Sequence, residues 1–327
     1  MNHNQIIQWG IIGCGDVAEV KSGPAFQNTS QSALIAVMRR NGEKAKNFAY
    51  RHGIKYWYDD AEELIQNPEV NAVYIATPPS SHLEYVLRVL QAGKNIYLEK
   101  PIGLSSQEGY QMAQALEKSS SRLTVAHYRR KLGAFLKVQE ILETGRIGQV
   151  RLIDILILQP ASADLIARTA ENWRLIPHIS GGGYFRDLAP HQIDLMLSWF
   201  GRPTKVHGLA VNQQKVYNAH DVVQGIMEFP EGIQFRGVWA FNIAPKNKQD
   251  RCTIYGDEGS VSFSFFGDEV SLQRPDATEK YQFHGLPHVQ QPMINDTVQY
   301  FLGNGANPCP LEDAIAGMEI MEYMTAK

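Results

Sequence analysis

The stretch Trp9-Gly10-Ile11-Ile12-Gly13-Cys14-Gly15-Asp16-Val17-Ala18 places a Gly-x-Gly-x-x-Ala turn directly after an apolar run. Gly13 permits a tight turn, Gly15 lets a phosphate group approach the main chain, and Ala18 allows a helix to pack closely on the strand. The amino end of that helix attracts phosphate oxygens through its unpaired amides and positive dipole end. The stretch therefore predicts the start of a dinucleotide-binding domain. The expected cofactor-binding residues of the turn are Gly13, Cys14, Gly15, Asp16 and Val17.

The first part of the chain alternates short apolar runs with helical patterns, as is typical of βαβ units. The expected strands are 6–12, 34–38, 72–76, 95–98 and 123–126. The expected helices between them include 43–52, 81–92 and 105–118. We therefore predict an α/β fold that begins with a doubly wound parallel Rossmann sheet over residues 1–126.

The remainder of the chain has a different pattern and predicts a second α/β domain over residues 127–327, with a mainly antiparallel sheet. Helices are expected at 134–144, 188–200, 294–302 and 311–325, and a long strand at 150–158. Further strands separated by turns are expected at 205–211, 221–229, 233–240, 250–255 and 259–265. Whether the last helix packs back on the first domain is left open.

The first expected helix is interrupted soon after it begins by Lys21-Ser22-Gly23-Pro24. Proline removes a main-chain donor, and glycine weakens a helix. Two interpretations stay open: the break turns Lys21 toward a ligand cleft, or it only bends the chain.

Composition and charge argue against several classes of protein. The 327 residues are 44% hydrophobic, which suits a large buried core and excludes a disordered or fibrous chain. With 31 basic and 34 acidic residues the net charge is −3, which argues against nucleic acid or an anionic membrane as partner. The three cysteines are too far apart for a metal knuckle, and no apolar stretch suits a membrane span or signal segment. We therefore expect a soluble protein of the reducing cytoplasm.

The end of the second expected strand bears on the choice of cofactor. In NAD-binding domains a carboxylate at this point accepts hydrogen bonds from the ribose hydroxyls. This chain has Arg39-Arg40-Asn41 there instead. Two guanidinium groups can hold a 2′-phosphate and stack on adenine, so Arg39 and Arg40 predict a preference for NADP(H), with NAD(H) possible. The alternative is a solvated basic loop.

The chain contains a further set of motifs in a fixed order. After the glycine turn come Ala76-Thr77-Pro78-Pro79-Ser80-Ser81-His82, Gly93-Lys94-Asn95-Ile96-Tyr97-Leu98-Glu99-Lys100-Pro101, Trp173-Arg174 and Gly181-Gly182-Gly183-Tyr184-Phe185-Arg186-Asp187-Leu188-Ala189-Pro190-His191-Gln192-Ile193-Asp194. Together they resemble the glucose-fructose oxidoreductase, inositol dehydrogenase and MocA (Gfo/Idh/MocA) family over almost the whole chain. The resemblance implies a Rossmann domain followed by an α/β domain with a large open sheet, commonly used to form homo-oligomers such as dimers or tetramers.

The resemblance also implies catalytic residues. The family lysine that matches Lys100 contacts the substrate oxygen beside the nicotinamide, and a partly desolvated ammonium can polarise a carbonyl there. A cis bond before Pro101 is implied as well. His191 matches a proton donor or acceptor, and Asp187 a residue that supports it. With Asp194 they share one helix face and would also suit a metal, but family precedent favours acid–base chemistry without a metal and leaves Asp194 structural.

Family positions imply further contacts with cofactor and substrate. The expected cofactor-binding residues are Thr77, Pro78 and His82 along the phosphates and nicotinamide ribose, and Glu99, Lys100, Trp173 and Arg174. Tyr128 and Arg129 are expected to face the substrate. The alternative for Arg129, and also for Arg130, is an ion pair at the domain junction.

The predicted reaction is hydride transfer between nicotinamide C4 and a hydroxyl-bearing carbon of a sugar, inositol or cyclic diol, or its ketone. Two other functions stay open. A glycoside hydrolase of the same fold would keep NAD bound and release no net NADPH, and a non-catalytic regulator would only bind the dinucleotide. The presence of Lys100, Asp187 and His191 argues against the regulator, because a pure binder does not need them.

Overall fold

The computed structural model describes residues 6–15, 18–161 and 172–326, with the main chain alone for Val20 and Lys21. These residues form two compact units. The first comprises the described residues up to Tyr128 together with Leu286–Ile315, and the second comprises Arg129–Gly285 and the residues from Ala316 onward. The sequence predicted a boundary after residue 126 and left open whether the last helix packs back on the first domain, and in the structure the segment Leu286–Ile315 belongs to the first unit.

The first unit contains a six-stranded sheet with the order β3-β2-β1-β4-β5-β6, all strands parallel. The strands are β1 (Ile7–Ile12), β2 (Ser32–Met38), β3 (Tyr56–Tyr58), β4 (Ala72–Ile75), β5 (Asn95–Leu98) and β6 (Leu123–Val125). The helices between them are α1 (Gly23–Asn28), α2 (Gly42–His52), α3 (Ala61–Gln66), α4 (His82–Gln91) and α5 (Ser106–Glu117). The predicted Rossmann sheet is confirmed. The short elements β3 and α3 were not predicted, because three to six residues are too few to show a clear period.

The central strands of this sheet are buried on both faces. Every residue of β4, and residues 96–98 of β5, are 0% exposed. Unbroken apolar runs of this kind are typical of parallel strands covered by helices on both sides. The carboxyl ends of β1, β2, β4 and β5 lead into the glycine turn, Arg39, Thr77 and Glu99. The fold thus brings these four loops to the edge of the sheet where α/β proteins bind ligands.

The predicted break in the first helix is present. A π-helical turn occupies Ala18–Ser22, and α1 starts afresh at Gly23 with Pro24 in its first turn, where proline costs no hydrogen bond. A Cβ on Gly23 would lie 2.5 Å from the Ala18 carbonyl oxygen, so the tight junction requires glycine. The side chain of Lys21 lies outside the described residues.

The second unit is built on an eight-stranded sheet with the order β14-β13-β12-β11-β7-β10-β9-β8. Only its β7–β10 pair is parallel, and the other described pairs are antiparallel, as predicted. The strands are β7 (Val150–Leu158), β8 (Lys205–Val211), β9 (Val222–Glu228), β10 (Gln234–Ala240), β11 (Gln249–Gly256), β12 (Ser260–Phe263), β13 (Glu269–Arg274) and β14 (Ala277–Gln282). The last two were not predicted.

The helices of this unit are α6 (Gly133–Glu143), α7 (Pro177–Ser180) and α8 (Gly183–Phe200). The chain then forms α9 (Gln291–Leu302) in the first unit and ends with α10 (Leu311–Thr325). Helix α8 begins at Gly183 rather than at residue 188, because three glycines with positive φ, at 181, 182 and 183, let the chain turn sharply into it. Among the described residues, no helix has both the length and the apolarity needed to cross a membrane.

Candidate functional site

The glycine turn has the open approach that a pyrophosphate group needs. Gly13 has φ +96°, and a Cβ there would lie 2.9 Å from the Thr77 side chain, so only glycine fits. A Cβ on Gly15 would meet nothing closer than the Gly13 carbonyl oxygen at 4.0 Å, which leaves that side of the turn open. These residues therefore fit a dinucleotide phosphate. The predicted contacts Asp16 and Val17 lie outside the described residues.

Cys14 lies in the same turn and is buried. Its amide and that of Gly13 donate to the Met38 carbonyl, at 3.1 and 3.0 Å, which ties the turn to the end of β2. Burial raises the pKa of the Cys14 thiol to about 11. The thiol is therefore protonated at neutral pH and offers no nucleophile beside the phosphates.

A cavity of about 780 Å³ lies against the glycine turn and along helix α2. Cys14, Gly15, Arg39 and Trp57 line it, while Arg40 is exposed and is not among the lining residues. The volume is within the range for part of a bound cofactor, and Trp57 contributes an aromatic ring to the lining, with the Lys46 ammonium 5.8 Å from the ring centre. Trp57 could not be predicted from the sequence because it belongs to the unpredicted strand β3.

An acidic side chain at this cavity is already paired. Glu19 accepts a two-point hydrogen bond from Arg51, and the His52 ring lies 2.9 Å from the same carboxylate. The Arg51 guanidinium is the main cause that lowers the pKa of Glu19 to about 2. Since the negative charge is compensated, it opposes a bound phosphate less than a lone carboxylate would.

A buried hydrogen-bond network holds Glu99, which precedes the predicted catalytic lysine. One Glu99 carboxylate oxygen accepts from the Tyr74 hydroxyl at 2.6 Å and from the Gln290 side-chain amide at 2.7 Å. The other oxygen accepts from the Lys100 main-chain N–H at 3.1 Å. The Gln290 carbonyl in turn accepts from the Tyr97 hydroxyl at 2.9 Å. Lys100 is half-buried, and its bond to Pro101 is cis, as the resemblance implied.

Gln290 is a positioning residue that was not predicted from the sequence. It is 0% exposed and comes from the returning segment just before α9, far along the chain from Glu99. A single glutamine carries no signal in a sequence, so its role becomes visible only when the fold places it beside the carboxylate. The network fixes Glu99, and through it the main chain of Lys100.

The loop after β4 is held by His82. One ring nitrogen lies 2.8 Å from the Thr77 carbonyl oxygen and the other 3.0 Å from the Pro101 carbonyl oxygen. His82 is fully buried, and burial lowers its pKa, which favours the neutral ring. A neutral ring has one N–H, so it donates to one of the two carbonyls while it packs between the Thr77-Pro78 loop and the loop that carries Lys100. The Thr77 hydroxyl accepts a hydrogen bond from Ser81 at 2.8 Å.

In the second unit, helix α8 carries the predicted acid–base residues. Asp187, His191 and Asp194 all lie on it, so the predicted helical spacing is confirmed. Asp187 accepts a hydrogen bond from Arg174 at 3.0 Å, and Arg174 is 6% exposed. Asp194 accepts a two-point hydrogen bond from Arg130 at 2.7 and 2.9 Å and is 3% exposed. Each carboxylate thus has an arginine as partner, and these pairings were not evident from the sequence.

The remaining predicted catalytic, cofactor-binding and substrate-contacting residues are largely buried, and most of them lie against an aromatic ring. His191 is 5% exposed and lies edge-on to Phe266, with 6.3 Å between the ring centres. The Arg174 guanidinium also lies over the Trp173 ring, 4.4 Å from its centre. Arg129 is buried, donates to the Phe265 carbonyl and stacks on Phe266 at 4.2 Å. Tyr128 is buried in the first unit.

Comparison with known proteins agrees with this arrangement. The family described as oxidoreductase family, NAD-binding Rossmann fold, matches residues 7–127, and the GFO/IDH/MocA C-terminal domain matches residues 135–262. Oxidoreductase P35 of Formosa agariphila is 50% identical over 316 residues, which is 97% of each chain. The 1,5-anhydro-D-fructose reductase of Ensifer adhaerens is 25% identical over 279 residues, 83% of this chain and 78% of that one. The structure of levoglucosan dehydrogenase in complex with NADH and levoglucosan has the same fold, with a TM-score of 0.87, 22% identity and coverage of 98% and 96%. The chain therefore belongs to the Gfo/Idh/MocA family of oxidoreductases with an NAD-binding Rossmann fold.

Proposed function

We propose that this protein is a nicotinamide-dependent dehydrogenase or reductase that acts on a hydroxyl-bearing carbon of a sugar, inositol or cyclic diol, or on the corresponding ketone. The observation that carries the proposal is the buried Tyr74–Glu99–Gln290 network, which fixes the main chain of Lys100 beside the dinucleotide-binding edge of the sheet. The bound dinucleotide would supply or accept the hydride. By its name, a relative acts on an anhydrofructose, which supports a sugar-like substrate.

The chain's own residues would bind the cofactor, orient the substrate and move the proton. The Lys100 ammonium polarises the substrate oxygen, and His191 gives or takes the proton with it. Asp187, which is paired with Arg174, would orient His191 or the substrate, and Arg174 would contact the cofactor. The cofactor would be bound by the glycine turn together with Thr77, Glu99 and Trp173. Tyr128 and Arg129 remain proposed substrate contacts.

The purified protein can be tested against sugars, inositols and cyclic diols with NADP⁺ or NAD⁺, and against the ketones with the reduced cofactors, by absorbance at about 340 nm. A dehydrogenase gives a steady change in absorbance that depends on both substrates. Release of sugar from a glycoside without any net change in absorbance at that wavelength would favour the glycoside hydrolase that keeps NAD bound. Binding of the dinucleotide without turnover of any substrate would favour a regulator.

The position of Arg39 in the cavity supports a preference for NADP(H). Arg39→Asp should lower kcat/KM with NADP(H) by about 10- to 100-fold and leave kcat/KM with NAD(H) equal or higher, because a charge-assisted phosphate contact contributes about 1.5–3 kcal/mol. Steady-state kinetics with both cofactors measures the ratio. Arg151→Asp, at an exposed position on β7 of the second unit, is the charge-matched control. A wild-type ratio below one, or an unchanged ratio in Arg39→Asp, contradicts the assignment.

The eight-stranded sheet has an open face that supports a homo-oligomer, a dimer or tetramer. Leu209, Ile226 and Tyr255 lie on one face by strand register and are 66%, 56% and 41% exposed. Burying such side chains against a second copy contributes roughly 25 cal/mol per Å² of apolar area. Sedimentation should show more than one chain at micromolar concentration, and Ile226→Arg should yield monomers. A monomeric wild-type protein would rule this proposal out.

A further inference from the structure

Arg186 is a buried cation that the proposed reaction does not use. It lies in the first turn of α8 and is 8% exposed. A guanidinium has five N–H donors. Among the described residues its partners are the Met318 sulfur at 3.9 Å and a Glu322 carboxylate oxygen at 4.0 Å. Both contacts are long, and a thioether is a weak acceptor, so the buried charge is only partly compensated.

This environment affects the pKa of the side chain. Burial lowers the pKa of Arg186, and the attraction of Glu322 only partly offsets that effect. An oxyanion placed against the guanidinium would oppose the penalty of burial, because it supplies charge and acceptors at hydrogen-bond distance.

Arg186 lines a cavity of about 450 Å³ that lies within the second unit. The wall also contains the polar residues Asn218 and His220, as well as the main chain of Gly181 and Gly182. None of the described lining residues is acidic. The cavity opens to solvent, and its volume is large enough for a small metabolite.

The cavity also adjoins the amino end of a long helix. Gly182, the residue before this 18-residue helix, lines the cavity, and the amides of Gly182 and Gly183 donate to the Ser180 hydroxyl at 3.3 and 3.2 Å. The partial positive charge at that end acts in the same direction as the Arg186 guanidinium. Two independent sources of positive potential thus meet at one cavity wall.

We propose that this cavity is a binding site for a small oxyanion, the phosphate or carboxylate group of a metabolite, with Arg186 as its cationic partner. Asn218 and His220 supply further polar contacts from the opposite chain segment. The proposal does not depend on the proposed redox reaction, because every residue it uses lies outside the predicted catalytic and cofactor-binding set.

The test is isothermal titration of the full chain with inorganic phosphate and, separately, with acetate, at constant ionic strength. Saturable binding of phosphate, acetate or both at one site per chain is expected, and the stronger probe identifies the preferred group. Arg186→Gln should weaken that binding at least tenfold, while Arg202→Gln, an exposed arginine just beyond α8, should leave it unchanged.

Two further variants distinguish binding in this cavity from a folding defect and from binding in the dinucleotide cavity. Asn218→Trp places a bulky ring at the exposed edge of the cavity and keeps Arg186, so it should also weaken binding even if Arg186→Gln fails to fold. Arg39→Gln removes the cation of the dinucleotide cavity and should leave this binding unchanged. No saturable binding by the wild type, unaltered binding in folded Arg186→Gln or in Asn218→Trp, or loss of binding only in Arg39→Gln would overturn the proposal.

Discussion

Lys100→Ala is expected to lower kcat by about two to four orders of magnitude and to leave NADP(H) affinity nearly intact. The physical reason is that the ammonium acts on the charge that develops on the substrate oxygen, and its loss raises the barrier by roughly 3–5 kcal/mol. Glu99 and its partners stay in place, because Glu99 binds the main-chain N–H at this position, which alanine keeps.

Steady-state kinetics with the substrate found in the absorbance screen, together with NADPH titration by fluorescence, measures the two effects separately. Lys118→Ala is the matched control, because it removes an exposed lysine from the same unit. An unchanged kcat in Lys100→Ala would show that this lysine is not catalytic. A large loss of cofactor affinity with little change in kcat would reassign it to cofactor binding.

His191→Asn is expected to lower kcat by about 10²- to 10⁴-fold, the range for loss of a general acid or base. Asparagine is smaller and lacks the ring that contacts Phe266, but it keeps a planar polar group at this position and does not titrate near neutrality, so the proton transfer is lost. The limb of the pH–rate profile that reports the imidazole should disappear as well.

Comparison of kcat/KM against pH for the wild type and His191→Asn is the decisive measurement. His284→Asn, at an exposed histidine of the second unit, serves as the control for loss of a ring. A variant that keeps both limbs of the profile and loses activity only through a lower melting temperature would show that His191 has a structural role.

Much of the fold could be predicted from the sequence because it depends on local patterns. The runs that became β4 and β5 are apolar without alternation, which is how doubly covered parallel strands appear. The need for glycine at positions 13 and 15 can be predicted from the sequence, since no other residue suits both the tight turn and the close approach of a phosphate to the main chain. The spacing of Asp187, His191 and Asp194 needed only the period of a helix.

The sequence did not reveal the partners of these residues, because the partners come from distant segments. Gln290 reaches Glu99 only because the segment 286–315 returns to the first unit. The carboxylates of Asp187 and Asp194 were candidates for a metal or for catalysis, and only the folded chain shows that Arg174 and Arg130 bind them.

By itself, then, the sequence determined a Rossmann domain with a dinucleotide turn, a second α/β domain and the helix that carries Asp187 and His191. Those features follow from periodicity and from what glycine alone permits, both of which are properties of neighbouring residues. Only the tertiary structure decided how Glu99 is held and that Arg186 is buried with long contacts. Which charges are buried and paired depends on which distant segments come into contact. Because burying a charge without a partner costs free energy, these contacts determine the environment of each charged side chain.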